Sequence, residues 1–250
     1  MSDTKKCCPK HIGHIKHIND IRPPSYILGK MVGYNCLDCV NQYISFCEKE
    51  GIIIKSLTNK KGWTPIHHAI FVEQIDIFKS LISFCSLKDL TQKAPISGNT
   101  LLHSASENEN SKFLEILLGL ILEKKLTLNM FKNSSGYSPL HSAVYLNKRK
   151  NIELLLKFKF SDGFQFDING VDIYGNSILH LAVKSCFIYG ENLLEFLIED
   201  LNQDGTYLDL NIRNRDGKTA LDVAYKKDDI EYLTKVSSLT KTKSAKKALI

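Results

Sequence analysis

The sequence predicts an all-α solenoid of about six helix-turn-helix units with β-turn tips, which includes a degenerate unit at the N-terminal end. A short sequence motif, called the phrase below, occurs five times along the chain. It consists of a glycine, a Ser/Thr-x-Leu-His-like turn and an alanine. A helical apolar run follows each of the first four phrases, as in Phe113-Leu114-Leu117-Leu118. The five glycines lie 36 to 42 residues apart: Gly62, Gly98, Gly136, Gly175 and Gly217. Self-similarity at this period is typical of repeats that bury their apolar faces only against neighbouring repeats.

Each position of the phrase has a local role. Glycine permits the positive φ of a tight turn. A hydroxyl residue then caps the first helix by accepting an unpaired backbone N–H. These predicted caps are Thr64, Thr100, Ser138, Ser177 and Thr219. Pro65 and Pro139 stand at the first helical position, where a missing N–H does no harm. The alanine that ends the phrase lets neighbouring helices approach closely.

Four of the phrases carry a histidine, and the fifth carries Asp222 in its place. The histidines are His67, His103, His141 and His180. Imidazole rings suggest metal ligands or catalytic bases, but an active site is singular whereas these rings recur at one scaffold position. The favoured interpretation is therefore a structural role. Asp222 suggests that the fifth phrase belongs to a terminal repeat, in which this side chain has fewer neighbouring groups to contact.

The phrases resemble the ankyrin repeat, whose mark is a glycine turn, Thr-Pro-Leu-His-x-Ala and two antiparallel helices. The resemblance covers residues 25–238, with a degenerate first repeat whose helices fall in 25–34 and 35–51. It implies an ankyrin-repeat domain over residues 25–240. A flexible basic arm over 1–24 and a basic tail over 241–250 are expected to flank that domain.

The net charge of +6 comes from the two ends of the chain. Residues 1–24 carry +3, residues 241–250 carry +4, and the repeats between them carry −1. A nucleic-acid surface would need a basic stripe on the repeats, so we expect no nucleic-acid partner for them. No apolar run approaches the roughly 20 residues that span a bilayer, and no signal-peptide stretch is seen near the start. With seven scattered cysteines, these features favour an intracellular protein, in the cytoplasm or the nucleus.

Two clusters raise the question of a metal. Cys7-Cys8-Pro9-Lys10-His11 with His14 and His17 supplies zinc-type ligands, but it lacks the separated ligand pairs of a structural finger. Cys36 and Cys39 share one face of a predicted helix, where core packing is the favoured interpretation. We predict no resident metal, no cofactor and no catalysis. A zinc-dependent module built on the N-terminal cluster remains an alternative.

The resemblance also implies a binding groove, lined by the turn tips and the exposed sides of the first helices. Aromatic and arginine side chains are the ones that most often anchor interfaces. The predicted groove residues are Lys60, Lys61, Trp63, Phe71, Asn99, Glu107, Tyr137, Tyr145, Tyr174, Asn176, Lys184, Arg215 and Lys218. The predicted function is therefore a monomeric, non-enzymatic module that binds a protein partner and no small-molecule substrate or membrane.

The spacers between repeats are longer than in an ordinary 33-residue ankyrin unit. Extended units of this kind, as in 208–217, resemble those of the inhibitors of NF-κB, which hold a transcription-factor dimer against the stack. The Asp-Ser-Gly-x-x-Ser degradation motif is missing and the tail is basic, so a nuclear, atypical member fits better. The alternative is a microbial ankyrin effector that acts on host proteins.

Overall fold

The computed structural model describes nine stretches of the chain: residues 24–51, 63–84, 90–126, 131–158, 166–189, 193–203, 208–224, 230–231 and 233–234. Ten helices lie within them. In chain order they are α1 Pro24–Gly33, α2 Leu37–Lys49, α3 Pro65–Phe71, α4 Ile75–Ile82, α5 Leu101–Glu107, α6 Lys112–Glu123, α7 Pro139–Tyr145, α8 Arg149–Lys157, α9 Ile178–Tyr189 and α10 Leu193–Gln203. Each consecutive pair is the helical hairpin of one repeat, as the sequence predicts. None of these helices is both long and apolar enough to cross a bilayer.

The chain divides into two compact units, residues 1–126 and residues 127–250. In unit 1 the first helices of the hairpins, α1, α3 and α5, pack side by side in one row. The second helices, α2, α4 and α6, pack in another row. Phe78 of α4 meets Phe113 of α6 edge to face, with ring centroids 5.1 Å apart. Both rings are fully buried, so they form part of the continuous core between the two rows.

Unit 2 repeats this arrangement with two complete hairpins. Helix α7 packs against α8 and against α9, and α9 packs against α10. The guanidinium of Arg149 on α8 lies 5.5 Å above the ring of Phe196 on α10. Of the helical apolar runs seen in the sequence, Ile152, Leu155, Leu193, Leu194 and Leu197 are buried, whereas Leu154, Leu156 and Phe196 are half-buried. The first helices bury Leu140, Val144, Ile178 and Leu179.

The small residue that ends the phrase is buried wherever a full first helix forms. Ala69, Ala105, Ala143 and Ala182 have no exposed surface. A larger side chain would force the helices apart, at a cost of about 1–3 kcal/mol. The close approach of neighbouring helices that the sequence predicts at this position is therefore confirmed in the four repeats that contain the first four phrases.

The last phrase departs from the expected first helix. Residues 220–223 form a single turn, in which Val223 N–H bonds to the Thr219 carbonyl at 3.2 Å. Ala220 is buried, whereas Leu221, Val223 and Ala224 are only half-buried. Over residues 219–224 the structure thus has one turn, in place of the seven-residue first helices α3, α5 and α7.

The degenerate first repeat is present as predicted. Helices α1 and α2 form its hairpin, and the chain leaves α2 through Gly51 with a φ of 68°. Cys39 and Cys47 are buried in this hairpin, and Cys36 lies half-buried at the start of α2. The core interpretation of the Cys36–Cys39 pair is therefore confirmed for Cys39.

Candidate protein-binding surface

An Asn or Asp three residues before the glycine braces each turn tip that the structure describes in unit 2. Asn133 Oδ1 accepts the backbone N–H groups of Ser135 and Tyr137 at 2.9 and 3.0 Å. Asp172 and Asn214 accept the equivalent pairs of N–H groups at 2.8 to 3.1 Å. These three side chains were not among the predicted site residues, although an Asn or Asp recurs at this offset in the sequence.

The described tip of unit 1 is built differently. Ala94 stands where the unit 2 tips have Asn or Asp, and the turn is one residue longer. Its closing bonds run from Ala94 N–H to the Asn99 carbonyl and from Gly98 N–H to the Ala94 carbonyl, both at 2.8 Å. The Ser97 hydroxyl accepts the Asn99 N–H at 3.1 Å. The extra residue places Ile96 at the tip with 71 % of its surface exposed.

The glycines adopt the predicted conformation. Gly98, Gly136, Gly175 and Gly217 have φ values of 67° to 77°, and Gly62 lies outside the described residues. At Gly136 a Cβ atom would also meet the backbone nitrogen of Ile173 at 2.9 Å. At Gly217 a Cβ would meet nothing within 4 Å. Consecutive tips in unit 2 thus touch through their backbones, and the Ile173 N–H bonds to the Ser135 carbonyl at 3.1 Å.

The phrase histidines cap their own helices. In each repeat the backbone N–H of the capping Ser or Thr donates to the histidine Nδ1, at 3.2 to 3.4 Å. The hydroxyl of the same residue lies 2.8 to 2.9 Å from that Nδ1. Because Nδ1 accepts a backbone N–H, the ring proton resides on Nε2. Asp222 makes the same reciprocal cap, accepting the Thr219 N–H at 2.8 Å, so it replaces histidine in capping.

In unit 2 the Nε2 edge of each ring reaches the next repeat. His141 Nε2 donates to the Gly170 carbonyl at 3.0 Å, and His180 Nε2 donates to the Lys218 carbonyl at 2.9 Å. Burial lowers the pKa of His141 to about 4, although the Gly170 carbonyl and Asp172 act in the opposite direction. Burial also lowers the pKa of His67 to about 4. Both of these rings are therefore neutral at pH 7. Hydrogen bonding occupies both ring nitrogens of His141 and the Nδ1 of His67.

Nine of the thirteen predicted groove residues follow a regular offset. The tip residue of a repeat is defined as the residue directly after the turn glycine, and the helix-end residue as the one nine positions after that glycine. The described pairs of tip and helix-end residues are Trp63 and Phe71, Asn99 and Glu107, Tyr137 and Tyr145, and Asn176 and Lys184. In the first three of these repeats the helix-end residue is also the last residue of the first helix. The two members contact each other in three of these four pairs.

In unit 1 the tip residue and the helix-end residue contact each other in both described repeats. The rings of Trp63 and Phe71 have centroids 5.1 Å apart and planes tilted by 55°. Phe71 keeps 65 % of its surface exposed. In the next repeat Asn99 Nδ2 donates to Glu107 Oε1 at 3.1 Å. In unit 1 the repeat of α3 thus carries an aromatic pair at these two positions, and the repeat of α5 carries a polar pair.

Unit 2 contains a second aromatic pair of the same kind. The centroids of Tyr137 and Tyr145 lie 6.2 Å apart, with planes tilted by 56°. The ammonium of Lys184, on the following repeat, stands 5.5 Å above the Tyr145 ring. A cation over an aromatic face is attracted by the ring quadrupole. Lys184 therefore covers one face of the Tyr145 ring.

Tyr137 has both a scaffold role and a surface role. Its ring stacks on the His141 imidazole, with centroids 5.8 Å apart and planes 21° apart. Burial, with Asp172 as the next cause, raises the pKa of Tyr137 to about 12. The half-buried Tyr137 is therefore partly a packing residue, whereas Tyr174 at the following tip is 59 % exposed.

The remaining predicted groove residues are placed as follows. Asn176 is held by hydrogen bonds to Asp172 and from Asn214, both at 3.1 Å. Arg215 and Lys218 lie exposed at the last tip. Lys60 and Lys61 lie outside the described residues, and so do Cys7, Cys8 and the histidines near them. In the stretches that the structure describes, no group of three or more His, Cys, Asp or Glu side chains is placed to hold a metal ion.

The repeat geometry agrees with a family match. A sequence model of the family described as ankyrin repeats (3 copies) matches residues 28–127 and 75–168, more than half of the chain. This chain belongs to the ankyrin repeat family. Among solved structures it is similar to the ankyrin repeat protein EF0377, with a TM-score of 0.64 and 22 % identity over 84 % of this chain and 96 % of that one.

Other similarities are to parts of larger or regulatory proteins. The ankyrin repeat domain of Bcl-3, a member of the IκB family, superposes with a TM-score of 0.55 and 24 % identity over 85 % of this chain and 98 % of that chain. The phosphocholine transferase AnkX of Legionella pneumophila is 32 % identical over 47 % of this chain and 11 % of its own length. The NF-κB p105 subunit of Gallus gallus is 26 % identical over 52 % of this chain and 12 % of its own. These alignments thus span about a tenth of the length of the curated relatives.

Proposed function

We propose that the chain is a non-enzymatic binding module whose tip residues and helix-end residues, together with the exposed Tyr174 directly before Gly175, hold a protein partner. The observation that supports this most directly is the repeated aromatic pair, Trp63 with Phe71 and Tyr137 with Tyr145. A tip turn needs glycine and a capping hydroxyl, but it does not need an aromatic ring. Exposed aromatic surface on a folded domain marks an interaction site, and Phe71 has such surface.

A quantitative affinity capture tests this role. The wild-type chain and two variants, W63A/F71A and Y145A/Y174A, are immobilised and exposed to a lysate of the cell that makes the protein. Captured proteins are quantified by mass spectrometry. We expect at least one partner to be recovered at least tenfold less on one of the variants, because interface anchors of this type contribute about 2 kcal/mol or more each.

The matched control changes exposed residues of the second helices. Lys112 of α6 and Lys157 of α8 are exposed, and neither is a tip or helix-end residue. The variant K112A/K157A should recover every partner at the wild-type level. If this control lost the partner while both aromatic variants kept it, binding would lie on the second helices and the proposal would be wrong.

Two finer versions of the role have support from the comparisons. Likeness to the p105 subunit and to Bcl-3 supports regulation of a transcription factor, in the manner of the IκB proteins. Likeness to AnkX of Legionella pneumophila supports an effector that a microbe delivers to act on host proteins. Both versions place the chain inside a cell, in the cytoplasm or the nucleus.

A binding titration separates the two versions. Purified NF-κB dimers, labelled with a fluorophore, are titrated with the chain while the anisotropy is followed. Saturable binding that W63A/F71A or Y145A/Y174A weakens would favour the regulator. If anisotropy did not change up to micromolar concentrations, the IκB-like version would be wrong and the effector version would be favoured.

A further inference from the structure

The phrase histidine of α3 differs from the two phrase histidines of unit 2 in one hydrogen bond. His67 caps its helix as they do, since the Thr64 N–H donates to its Nδ1 at 3.4 Å. Its Nε2 atom, however, is buried and has no hydrogen-bond partner within the part of the chain that the structure describes. His141 and His180 instead donate from Nε2 to carbonyls of the next repeat. A buried donor without an acceptor lowers stability, because burial removes the water that would otherwise accept its hydrogen.

The tip that follows α3 contains the same backbone positions but does not accept this hydrogen. In unit 2 the acceptors are the Gly170 carbonyl, two residues before the Asp172 brace, and the Lys218 carbonyl, directly after the turn glycine. The equivalent residues of the 94–99 tip are Gln92 and Asn99. Helix α5, which this tip precedes, packs beside α3. The bond between repeats is therefore missing although the two repeats are neighbours.

The 94–99 tip also lacks the side-chain brace of the unit 2 tips. Ala94 stands at the brace position, so its side chain cannot accept the N–H groups of the turn as Asp172 does. The turn is one residue longer, and Ile96 within it is 71 % exposed. The missing brace and the missing histidine bond thus occur at one and the same tip.

We propose that the 94–99 tip is a locally opening segment of unit 1, which separates from α3 while the helices stay folded. In unit 2 the Asp172 brace and the His141 bond to Gly170 hold the corresponding tip, whereas the 94–99 tip has neither. Segments that open readily are the ones that adapt when a ligand binds. The opening allows this tip to adjust to the partner, a consequence that rests on the proposed function, whereas the opening itself does not.

Amide hydrogen exchange of the free full-length chain, resolved by NMR, tests the opening. Ala94 and Asp172 form a matched pair, since both are buried. Each donates its N–H to the carbonyl of the tip residue of its own turn, which is Asn99 at 2.8 Å and Asn176 at 3.0 Å. We expect the protection factor of Ala94 to be lower by about tenfold or more, although its bond is the shorter one, because opening gives the buried His67 donor access to water.

A reference amide in each unit corrects for any difference in the overall stability of the two units. Leu117 of α6 and Leu155 of α8 are buried helical residues, and each tip protection factor is divided by that of the reference in its own unit. The expected difference between Ala94 and Asp172 should remain after this correction. Equal corrected values would show that the 94–99 tip is held as firmly as its counterpart, and the inference would be wrong.

Two matched variants connect the opening to the histidine. Asp222 makes the reciprocal cap with a short side chain, so H67N and H141N each keep a cap acceptor and lose the same ring volume. Only H141N also loses a bond to the next repeat. H141N should therefore accelerate exchange at Asp172 about fivefold more than H67N accelerates exchange at Ala94.

Equal acceleration by the two variants would mean that His67 holds its tip as His141 does, which would also overturn the inference. If H67N failed to fold, the wild-type comparison of Ala94 with Asp172 would still decide. Every one of these measurements is made on the free chain. Their failure would leave the proposed function standing, because capture of the partner tests that function separately.

Discussion

The Nε2 atom of His141 donates a hydrogen bond to the carbonyl oxygen of Gly170, 29 residues further along the chain, at 3.0 Å. The same ring accepts the Ser138 N–H through Nδ1 at 3.3 Å. One neutral imidazole therefore closes the cap of its own helix and joins that helix to the next repeat. Protonation would put a hydrogen on Nδ1, where the cap requires an acceptor.

The stability of the chain should fall as the pH is lowered below about 6.5. Burial lowers the pKa values of His67 and His141 to about 4, whereas an unfolded histidine titrates near 6.5. Between these values the unfolded chain binds more protons, so the free energy of unfolding rises with pH. Full stability is present above pH 6.5, and each ring accounts for a loss of about 2 kcal/mol at pH 5.

Urea denaturation at pH 7.5 and pH 5 measures this loss. The variant H141Q keeps a residue that can complete a capping box but removes one titrating group. It should be less stable than wild type at pH 7.5 and should lose less stability on acidification. Equal losses for both proteins would show that His141 is not responsible for the pH dependence.

Removing the cap hydroxyl at Ser138 should destabilise unit 2. The Ser138 hydroxyl accepts the His141 N–H at 3.4 Å and lies 2.8 Å from its Nδ1. The variant S138A leaves that buried N–H without this acceptor, and we expect a loss of about 1 kcal/mol in the free energy of unfolding. Chemical denaturation followed by circular dichroism gives the value. Ser134, exposed in the same turn, supplies the control S134A, which should be neutral.

The turn glycines should respond unequally to alanine. Gly136 and Gly217 share a φ near 74°, so both variants suffer the conformational penalty of about 1–2 kcal/mol. At Gly136 the added Cβ would also come within 2.9 Å of the Ile173 nitrogen, which forces two tips apart. G136A should therefore be the less stable variant by about 1 kcal/mol or more. Equal midpoints of urea denaturation would contradict the tip-to-tip contact.

The Asn133 brace should tolerate aspartate better than alanine. Its Oδ1 accepts two N–H groups, and Asp172 makes the same two bonds in the next repeat. N133A should lower the free energy of unfolding by about 1–3 kcal/mol, because two turn N–H groups lose their acceptor. N133D should recover most of that loss. Thermal unfolding of the two variants at pH 7 provides the comparison, and equal destabilisation would mean that the amide nitrogen, rather than Oδ1, matters.

Features that depend on a few neighbouring residues were predictable. The positive φ at Gly136, the hydroxyl cap at Ser138 and the buried Ala143 all follow from one phrase, since turns, caps and helix starts are local. The structural role of His141 was also predictable, because the same ring recurs in four repeats. Its second partner, Gly170, was not, since the spacer before it varies in length from repeat to repeat.

The positions of the candidate residues within each repeat were predictable, but their contacts were not. The tip and helix-end positions follow from the repeat offset, and Trp63 and Phe71 were both expected there. That they touch, whereas Tyr137 is partly buried against His141, depends on side-chain packing. The Asn133 brace was visible in the sequence as a recurring offset, but only the bonds to two backbone N–H groups show what it does.

The sequence by itself determined the class of fold, because the period, the turn glycine, the cap and the helical apolar runs are each short-range and agree with one another. Only the tertiary structure decided which side chains of neighbouring repeats come together. Lys184 reaches Tyr145, and Glu107 lies beside the repeat of Phe71, because side-by-side packing brings helix ends together that are 36 to 39 residues apart in the chain. Periodicity predicts that such helices are neighbours, but their packing sets the distances and exposures on which recognition depends.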